Sequence, residues 1–371
     1  MAQLRPIRQA WLWAVVSFAA AATAPSPNCC SQGITVRLGS LPTADHRPVI
    51  TAMAIDPQGE ILAVAGDDRS IRLLDPDDLS EIGRLIGHRD LVRTLAFRPD
   101  GQILASAGND GRLNLWSRAA GWEVARRAED LPTLFSVRFS PDGRQLAAVG
   151  FDSQLLLFGP DSPPSLPCQC SDLRSLAYHH SGKWLAVVGR SGALHLFDPR
   201  NGSDLGKFPI HSSRIRDMTA LPGTDLLATV SEDGAVTLFD LKSHRITAQI
   251  DLLPCKLFTV AAIDGSTIAV AGSSNRIRIV DCQRGEVIAF LDGHQGSINS
   301  LIHCQGTLYS GGFDTTVRKW QVGGPGQPRM AKSEPNSDRE RLAERERAAD
   351  RERAADRERV AERERVEAGS R

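Results

Sequence analysis

Aspartate and histidine side chains recur along this chain in a pattern that could support acid–base chemistry. A carboxylate close to a histidine can take part in proton transfer, so each such position is a candidate for catalysis. The same position returns seven times, however, 39 to 42 residues apart, as Asp68, Asp110, Asp152, Ser191, Asp233, Ser274 and Asp314. A feature repeated in every unit favours a structural role over a single catalytic site.

Other patterns that would indicate an enzyme are missing or poorly spaced. The sequence contains no Walker-type phosphate loop, no His-Glu-x-x-His zinc motif and no Gly-x-Ser-x-Gly nucleophile turn. Cys168 and Cys170 flank one residue, and His179 and His180 are adjacent; neither spacing suits a metal ion. We therefore expect isolated thiols at blade edges, no catalytic residue, no metal and no cofactor.

The interval and the local pattern together predict a β-propeller of four-stranded blades. Two units read GHRDLVRTLAFRPDGQILASAGNDGRLNLW and GHQGSINSLIHCQGTLYSGGFDTTVRKW. Both resemble units of the WD-repeat family, in which a His, a Ser or Thr, an Asp and a Trp are hydrogen-bonded in series. The resemblance implies an all-β, seven-bladed WD-repeat propeller over residues 33–322, with blade networks formed by His88, Ser106, Asp110 and Trp116, by His294, Ser310, Asp314 and Trp320, and by His211, Thr229 and Asp233.

Five units depart from the family pattern. The unit of His211 ends in Phe239, which has no indole donor, so its network should be shorter. The other four, with Leu74, Phe158, Phe197 and Val280 at the Trp position, should depend on apolar packing. We accordingly expect Asp68→Ala to destabilise the fold less than Asp110→Ala.

The seventh unit stops at Val322, after its third strand. The segment Ile34 to Leu38 alternates like a strand and precedes the first full unit. It should supply the missing fourth strand of the last blade and close the ring.

Both ends of the chain lie outside the repeats. Residues 1–24 have a basic start, a short apolar run and a small-residue cleavage site near Ala24, which predicts a signal peptide, export to a periplasm or the exterior, and no stable membrane span. An uncleaved membrane anchor, or a cytoplasmic protein with a mis-assigned start, are the alternatives. Residues 323–338 have linker composition. Residues 339–371, rich in Arg, Glu and Ala with a six-residue period, predict a charged, solvated helix or a disordered tail.

A formal net charge of zero gives no reason to expect nucleic acid as a partner. We expect a non-catalytic interaction scaffold that binds a protein or peptide, with acidic character, at the rim of the channel. The alternative is a propeller hydrolase or lyase with its site in the channel, and oligomeric state is left open. One residue after the first core residue of each innermost strand lie Arg93, Phe135, Arg174, Arg216 and Phe258; neighbouring rim positions add Arg214, Lys256, Phe151 and Phe313. Local pairing of these Arg residues and inward packing of the Phe residues is the competing interpretation.

Overall fold

The computed structural model describes residues 34–39, 47–160, 165–168 and 170–322. The predicted signal peptide, the linker and the charged tail lie outside these residues. Within them the structure consists of seven four-stranded antiparallel sheets, which are the blades of a propeller. Blades 1 to 6 follow one another along the chain. Blade 7 combines the last three strands of the chain with the first one.

The seven innermost strands surround the channel, and each contacts the innermost strand of the next blade, including the last with the first. They are β2 (Ile50–Ile55), β6 (Val92–Phe97), β10 (Leu134–Phe139), β14 (Leu173–Tyr178), β18 (Ile215–Ala220), β22 (Leu257–Ala262) and β26 (Ile298–Cys304). The second strands are β3 (Leu62–Gly66), β7 (Ile103–Gly108), β11 (Leu146–Gly150), β15 (Leu185–Gly189), β19 (Leu226–Ser231), β23 (Thr267–Gly272) and β27 (Thr307–Gly312).

The third and outer strands complete each sheet. The third strands are β4 (Ser70–Leu74), β8 (Leu113–Ser117), β12 (Gln154–Phe158), β16 (Ala193–Phe197), β20 (Ala235–Asp240), β24 (Arg276–Asp281) and β28 (Thr316–Gln321). The outer strands are β5 (Glu81–Ile86), β9 (Glu123–Ala128), β13 (Ser165–Pro167), β17 (Asp204–Pro209), β21 (Arg245–Asp251), β25 (Glu286–Asp292) and, in blade 7, β1 (Thr35–Arg37). Second strands such as Leu146–Gly150 are apolar and buried throughout, because neighbouring blades pack on both of their faces.

The ring is closed by the N-terminal strand, as the missing fourth strand of the last unit predicts. β1 runs antiparallel to β28, with Val36 opposite Val317, and the Lys319 amide donates to the Ile34 carbonyl at 2.9 Å. Leu38, directly after β1, is buried in the apolar core shared by blades 7 and 1. The two ends of the array are therefore joined by backbone pairing and by a common core.

Blades 2 and 7 each contain a four-residue hydrogen-bond chain. In blade 2 the Trp116 indole donates to Ser106 Oγ at 2.8 Å, Ser106 Oγ lies 2.7 Å from His88 Nε2, and His88 Nδ1 lies 2.9 Å from Asp110 Oδ2. Because a carboxylate can only accept, the proton of the neutral His88 ring lies on Nδ1 and points to the aspartate, and Nε2 accepts from the serine, which itself accepts from the indole. The corresponding distances in blade 7, through Trp320, Ser310, His294 and Asp314, are 2.8, 2.7 and 2.9 Å.

Blade 5 has the shorter version of this chain. His211 Nδ1 lies 3.1 Å from Asp233 Oδ2, and His211 Nε2 lies 2.9 Å from Thr229 Oγ1. Phe239 is buried at the Trp position and packs in the apolar core instead. Thr229 Oγ1 also lies 3.2 Å from the Thr237 carbonyl, so the chain ends on backbone.

Blade 1 corrects the expectation that its unit depends on apolar packing alone. Arg72 is fully buried and its Nη2 lies 2.6 Å from Asp68 Oδ2. Ser70 Oγ donates to Asp68 Oδ1 at 2.9 Å, and Arg72 Nη2 also donates to the Gly39 carbonyl at 2.8 Å. A buried ion pair therefore replaces the His–Asp contact and ties the segment after β1 to blade 1.

The remaining blades differ in how well they match the expectation. Phe197 and Val280 are buried in apolar cores, as expected for blades 4 and 6, and Phe158 is partly buried against the core between blades 2 and 3. Asp152, however, is exposed and does not occupy a buried turn like that of Asp110. The cysteines were expected at blade edges, but Cys168, Cys170, Cys255 and Cys282 are buried free thiols within cores, whereas Cys304 is partly exposed.

Candidate functional site

A β-bulge repeats at the start of all seven innermost strands. The pairing with the second strand skips one residue in each blade, between Val92 and Thr94 in blade 2 for example. A bulge leaves the extra residue unpaired and changes the direction of its side chain. The skipped residue and the residue after it consequently both line the channel cavity, and the skipped residues are Thr51, Arg93, Phe135, Arg174, Arg216, Phe258 and Asn299.

The structure brings five of the predicted rim residues together at one channel mouth. Phe135 lies between two guanidinium groups: the Cζ of Arg174 is 3.9 Å and that of Arg93 is 5.4 Å from the ring centroid. Arg216 stacks on Phe258 at 5.3 Å. These cation–π contacts join side chains from blades 2 to 6.

The Arg residues also pair locally, as the competing interpretation expected, but the pairing is incomplete. Asp172 contacts Arg174 at 2.5 Å and Arg214 at 2.8 Å. Glu232 contacts Arg214 at 3.3 Å, Arg216 at 3.5 Å and Lys256 at 3.5 Å. Arg93 donates instead to the neutral side chain of Asn109 at 2.9 Å. Within this set two carboxylates face five cations, and the mouth carries an excess of positive charge.

The pKa shifts follow the same imbalance. Burial lowers the pKa of Arg93 and the charge of Arg216 lowers it further, against the opposing effect of the Asp90 carboxylate. Burial alone would raise the pKa of Glu232, but the charges of Arg216, Arg214 and Lys256 outweigh it, and the net pKa is lowered. Glu232 therefore stays ionised, and the Arg side chains remain mutually repulsive in the absence of an anion.

The other predicted rim residues take two different positions. Arg214 and Lys256 lie beside the mouth and reach it through Asp172 and Glu232. Phe151 and Phe313 are 63% and 54% exposed in the loops that follow second strands, and they are not part of the channel lining. The structure therefore groups seven of the nine residues around the mouth and leaves these two phenylalanines apart.

Two charged residues inside the channel were not predicted from the sequence. Asp217 follows the bulged residue of β18, where the other blades have Ala, Ser or Thr; Arg138 is the fifth residue of β10. Asp217 accepts hydrogen bonds from Ser175 Oγ and the Met218 amide on one oxygen, and from Thr259 Oγ1 and the Val260 amide on the other. Burial raises the pKa of Asp217 despite these donors and the charge of Arg138. Comparison of the same position across the seven units would have revealed both residues.

A third polar cluster lies at the turn that follows β14. His179 Nδ1 lies 2.7 Å from Ser181 Oγ and also accepts from the Ser181 amide at 3.2 Å, while Nε2 lies 3.0 Å from Asp225 Oδ1. The ring thus caps its own turn and connects blades 4 and 5. In the described part of the chain, no group of three His, Cys, Asp or Glu side chains is arranged to hold a metal ion. The same described residues contain no helix that is long and apolar enough to cross a membrane.

Comparison with known proteins identifies two family models along the chain. The model "WD domain, G-beta repeat" matches residues 38–75 and 79–117, and the model "Anaphase-promoting complex subunit 4 WD40 domain" matches residues 218–305. These segments cover blade 1 and the first three strands of blade 2, and then most of blade 5, blade 6 and the innermost strand of blade 7.

Three curated relatives show the same similarity over part of their length. The periodic tryptophan protein 2 homolog of Caenorhabditis elegans is 24% identical over 39% of this chain and 16% of its own. WD repeat-containing protein 1 of Gallus gallus is 27% identical over 41% and 26%, and WD repeat and FYVE domain-containing protein 1 of Bos taurus is 25% identical over 42% and 40%. The alignments thus cover less than half of each relative. The seven blades, the His–Ser–Asp–Trp chains and these matches together make the chain a member of the WD-repeat family.

Proposed function

We propose that this protein is a non-catalytic interaction scaffold, and that an extended acidic segment of a partner protein binds across the channel mouth. The observation that carries the proposal is the stacked pair of guanidinium groups on Phe135, joined by Arg216 on Phe258. WD-repeat relatives support the coarser part, a scaffold for protein interaction.

Stacking suits the mouth for this role because it fixes the ring-facing side of each guanidinium and leaves N–H donors at its edge. Arg and aromatic residues are enriched among the residues that dominate binding energy at interfaces. Asp172 and Glu232 hold the cations in place without neutralising all of them. An acidic segment would supply the missing negative charge and relieve the repulsion between Arg93 and Arg216.

Fluorescence anisotropy with a labelled, C-terminally amidated decapeptide of alternating Glu and Ser tests this proposal. We expect binding to wild type, at least a tenfold larger Kd for the triple variant Arg93→Glu, Arg174→Glu, Arg216→Glu, and no binding of the corresponding Gln/Ser peptide. Affinity should fall as salt is raised from 0.05 to 0.5 M, because screening shortens the range of the attraction.

The matched control reverses three exposed charges at outer positions of blades 2 and 5, Arg126→Glu, Lys242→Glu and Arg245→Glu, and so changes the net charge equally. The two triple variants should therefore differ in binding although their net charges are the same. Equal loss in both would show that total charge, and not the mouth, determines binding.

The sequence of residues 1–24 supports the further proposal that the scaffold acts after export. Intact-mass measurement of the protein recovered from fractionated cells would test it. A mature chain that begins near Pro25 in the exported fraction is the expected result, whereas a full-length chain in the cytoplasm would contradict it.

A further inference from the structure

Below the mouth, the channel wall contains a further cation that the blade fold does not require. At the fifth position of the innermost strands the other six blades have small or apolar residues, namely Ala54, Ala96, Ala177, Thr219, Ala261 and Ile302. Blade 3 alone has an arginine there, Arg138, and its side chain lines the cavity. This position lies three residues after the mouth residue of the same strand, or about 7–10 Å along it.

The guanidinium of Arg138 has donors to spare. Its Nη1 donates to the Val137 carbonyl of its own strand at 2.8 Å. Among the residues that the structure describes, no carboxylate lies within 4.0 Å of it. A guanidinium carries five N–H donors, and the bond to Val137 uses one of those of Arg138.

Asp217 is the carboxylate that lines the same cavity as Arg138, but both of its oxygens already accept hydrogen bonds. Two donors reach each oxygen, from blades 4, 5 and 6, at 2.9 to 3.2 Å. Asp217 therefore offsets the charge of Arg138 through space and does not cap it. An incoming anion would find the donors of Arg138 unoccupied.

The cavity has room for a side chain and is lined by groups that suit a polar one. Its volume is about 160 Å³, and Thr94, Ser136 and Ser300 contribute hydroxyl groups to its wall. At roughly 10–15 Å³ for each water, the space holds on the order of ten waters. A single carboxylate side chain fits within it, whereas a folded element of a partner does not.

We infer that Arg138 forms the base of a carboxylate-binding pocket inside the channel, which receives one acidic side chain of the segment held at the mouth. The inference rests on the proposed function and specifies the chemistry of its ligand. A carboxylate matches one planar guanidinium through two parallel hydrogen bonds. A doubly charged phosphate would meet one guanidinium and the repulsion of Asp217, so the pocket favours a single negative charge.

The test measures the Glu/Ser decapeptide against Arg138→Gln, with Arg126→Gln as the charge-matched control on the exposed outer strand of blade 2. We expect the Kd to rise at least about tenfold for Arg138→Gln and to be unchanged for Arg126→Gln. Should Arg138→Gln fail to fold, Arg138→Lys decides, because an ammonium keeps the charge but loses the planar fork. At least a threefold weaker affinity is expected, and an unchanged one overturns the pocket.

Competition with succinate separates the two sources of a carboxylate. One outcome would overturn the role of the pocket for a partner side chain and assign it to a free dicarboxylate. In that outcome, millimolar succinate displaces the peptide from wild type, and succinate binds directly to the mouth triple variant but not to Arg138→Gln. Loss of peptide binding in the mouth variant but not in Arg138→Gln would refute the pocket and leave the proposed function standing. No effect of either variant would refute both.

Discussion

Removal of Asp68 should destabilise the fold more than removal of Asp110, the reverse of the order expected from the sequence. Asp68→Ala removes the close carboxylate of the fully buried Arg72 guanidinium and leaves the more distant, partly exposed Glu81, 3.7 Å from Nε; breaking a buried ion pair in this way costs about 3–5 kcal/mol. Asp110→Ala leaves a neutral His88 without its acceptor, at about 1–3 kcal/mol. At roughly 2 °C per kcal/mol, Tm should fall by about 6–10 °C and about 2–6 °C.

The assay is calorimetry of wild type, the two single variants and the double variant Asp68→Ala, Arg72→Met at pH 7. The double variant should be more stable than Asp68→Ala by at least about 1 kcal/mol, because it no longer buries a guanidinium that has lost its close carboxylate. The pKa of Asp68 is lowered, because the charge and hydrogen bonds of Arg72 outweigh the opposing effect of burial. The contribution of this carboxylate to the stability of the fold is therefore present above its ordinary pKa of about 3.9 and is lost as the pH falls through the lowered value. Equal losses for the two single variants, or a double variant less stable than Asp68→Ala, would refute the reasoning.

Three further outcomes are expected. Deletion of residues 33–40 should lower Tm strongly, whereas deletion of 331–371 should leave it nearly unchanged; matching melting curves for the first deletion and wild type would contradict closure by β1. Trp116→Phe should destabilise by about 1–3 kcal/mol in urea titrations, since Ser106 loses its donor, and a variant as stable as wild type would show that the indole hydrogen bond contributes little. Burial lowers the pKa of His88, so its contribution is present above about 6.5 and is lost as the pH falls through the lowered value; Tm should decrease from pH 7 to pH 5, and a flat profile would argue against a buried neutral imidazole.

The sequence predicts the propeller well because the length of each repeat follows from the four strands and the turns that one blade contains. The missing fourth strand after Val322 indicates closure, and Ile34 to Leu38 indicates what provides it. Arg72 was missed because the family pattern directs attention to His and Trp. Its signal was nevertheless present: Asp68, Ser70 and Arg72 alternate, so successive members share one face of the strand.

The mouth was predicted in position but not in geometry. Equivalent positions in a closed ring must surround one opening, which places Arg93 and Arg174 together. Their stacking on Phe135 depends on the bulge in each innermost strand, and no residue type in these strands marks it. A comparison of the repeats at the rim of the channel does not include Arg138 and Asp217, because they are the fifth and third residues of their strands and line the channel wall.

Closure by β1 also sets the order in which the molecule can be completed during synthesis. Among the described strands, Thr35–Arg37 emerges from the ribosome first, but its partner Thr316–Gln321 emerges last. At about 5–20 residues per second the interval is on the order of 15–60 s, during which blades 1 to 6 can form from contiguous chain while the first strand has no partner. The strand is only three residues long and ends in Arg37, and short charged edges resist pairing with other chains. A circular permutant that begins at Ile50 and carries residues 33–49 after Val322 would remove this delay, because every sheet would then be built from neighbouring sequence.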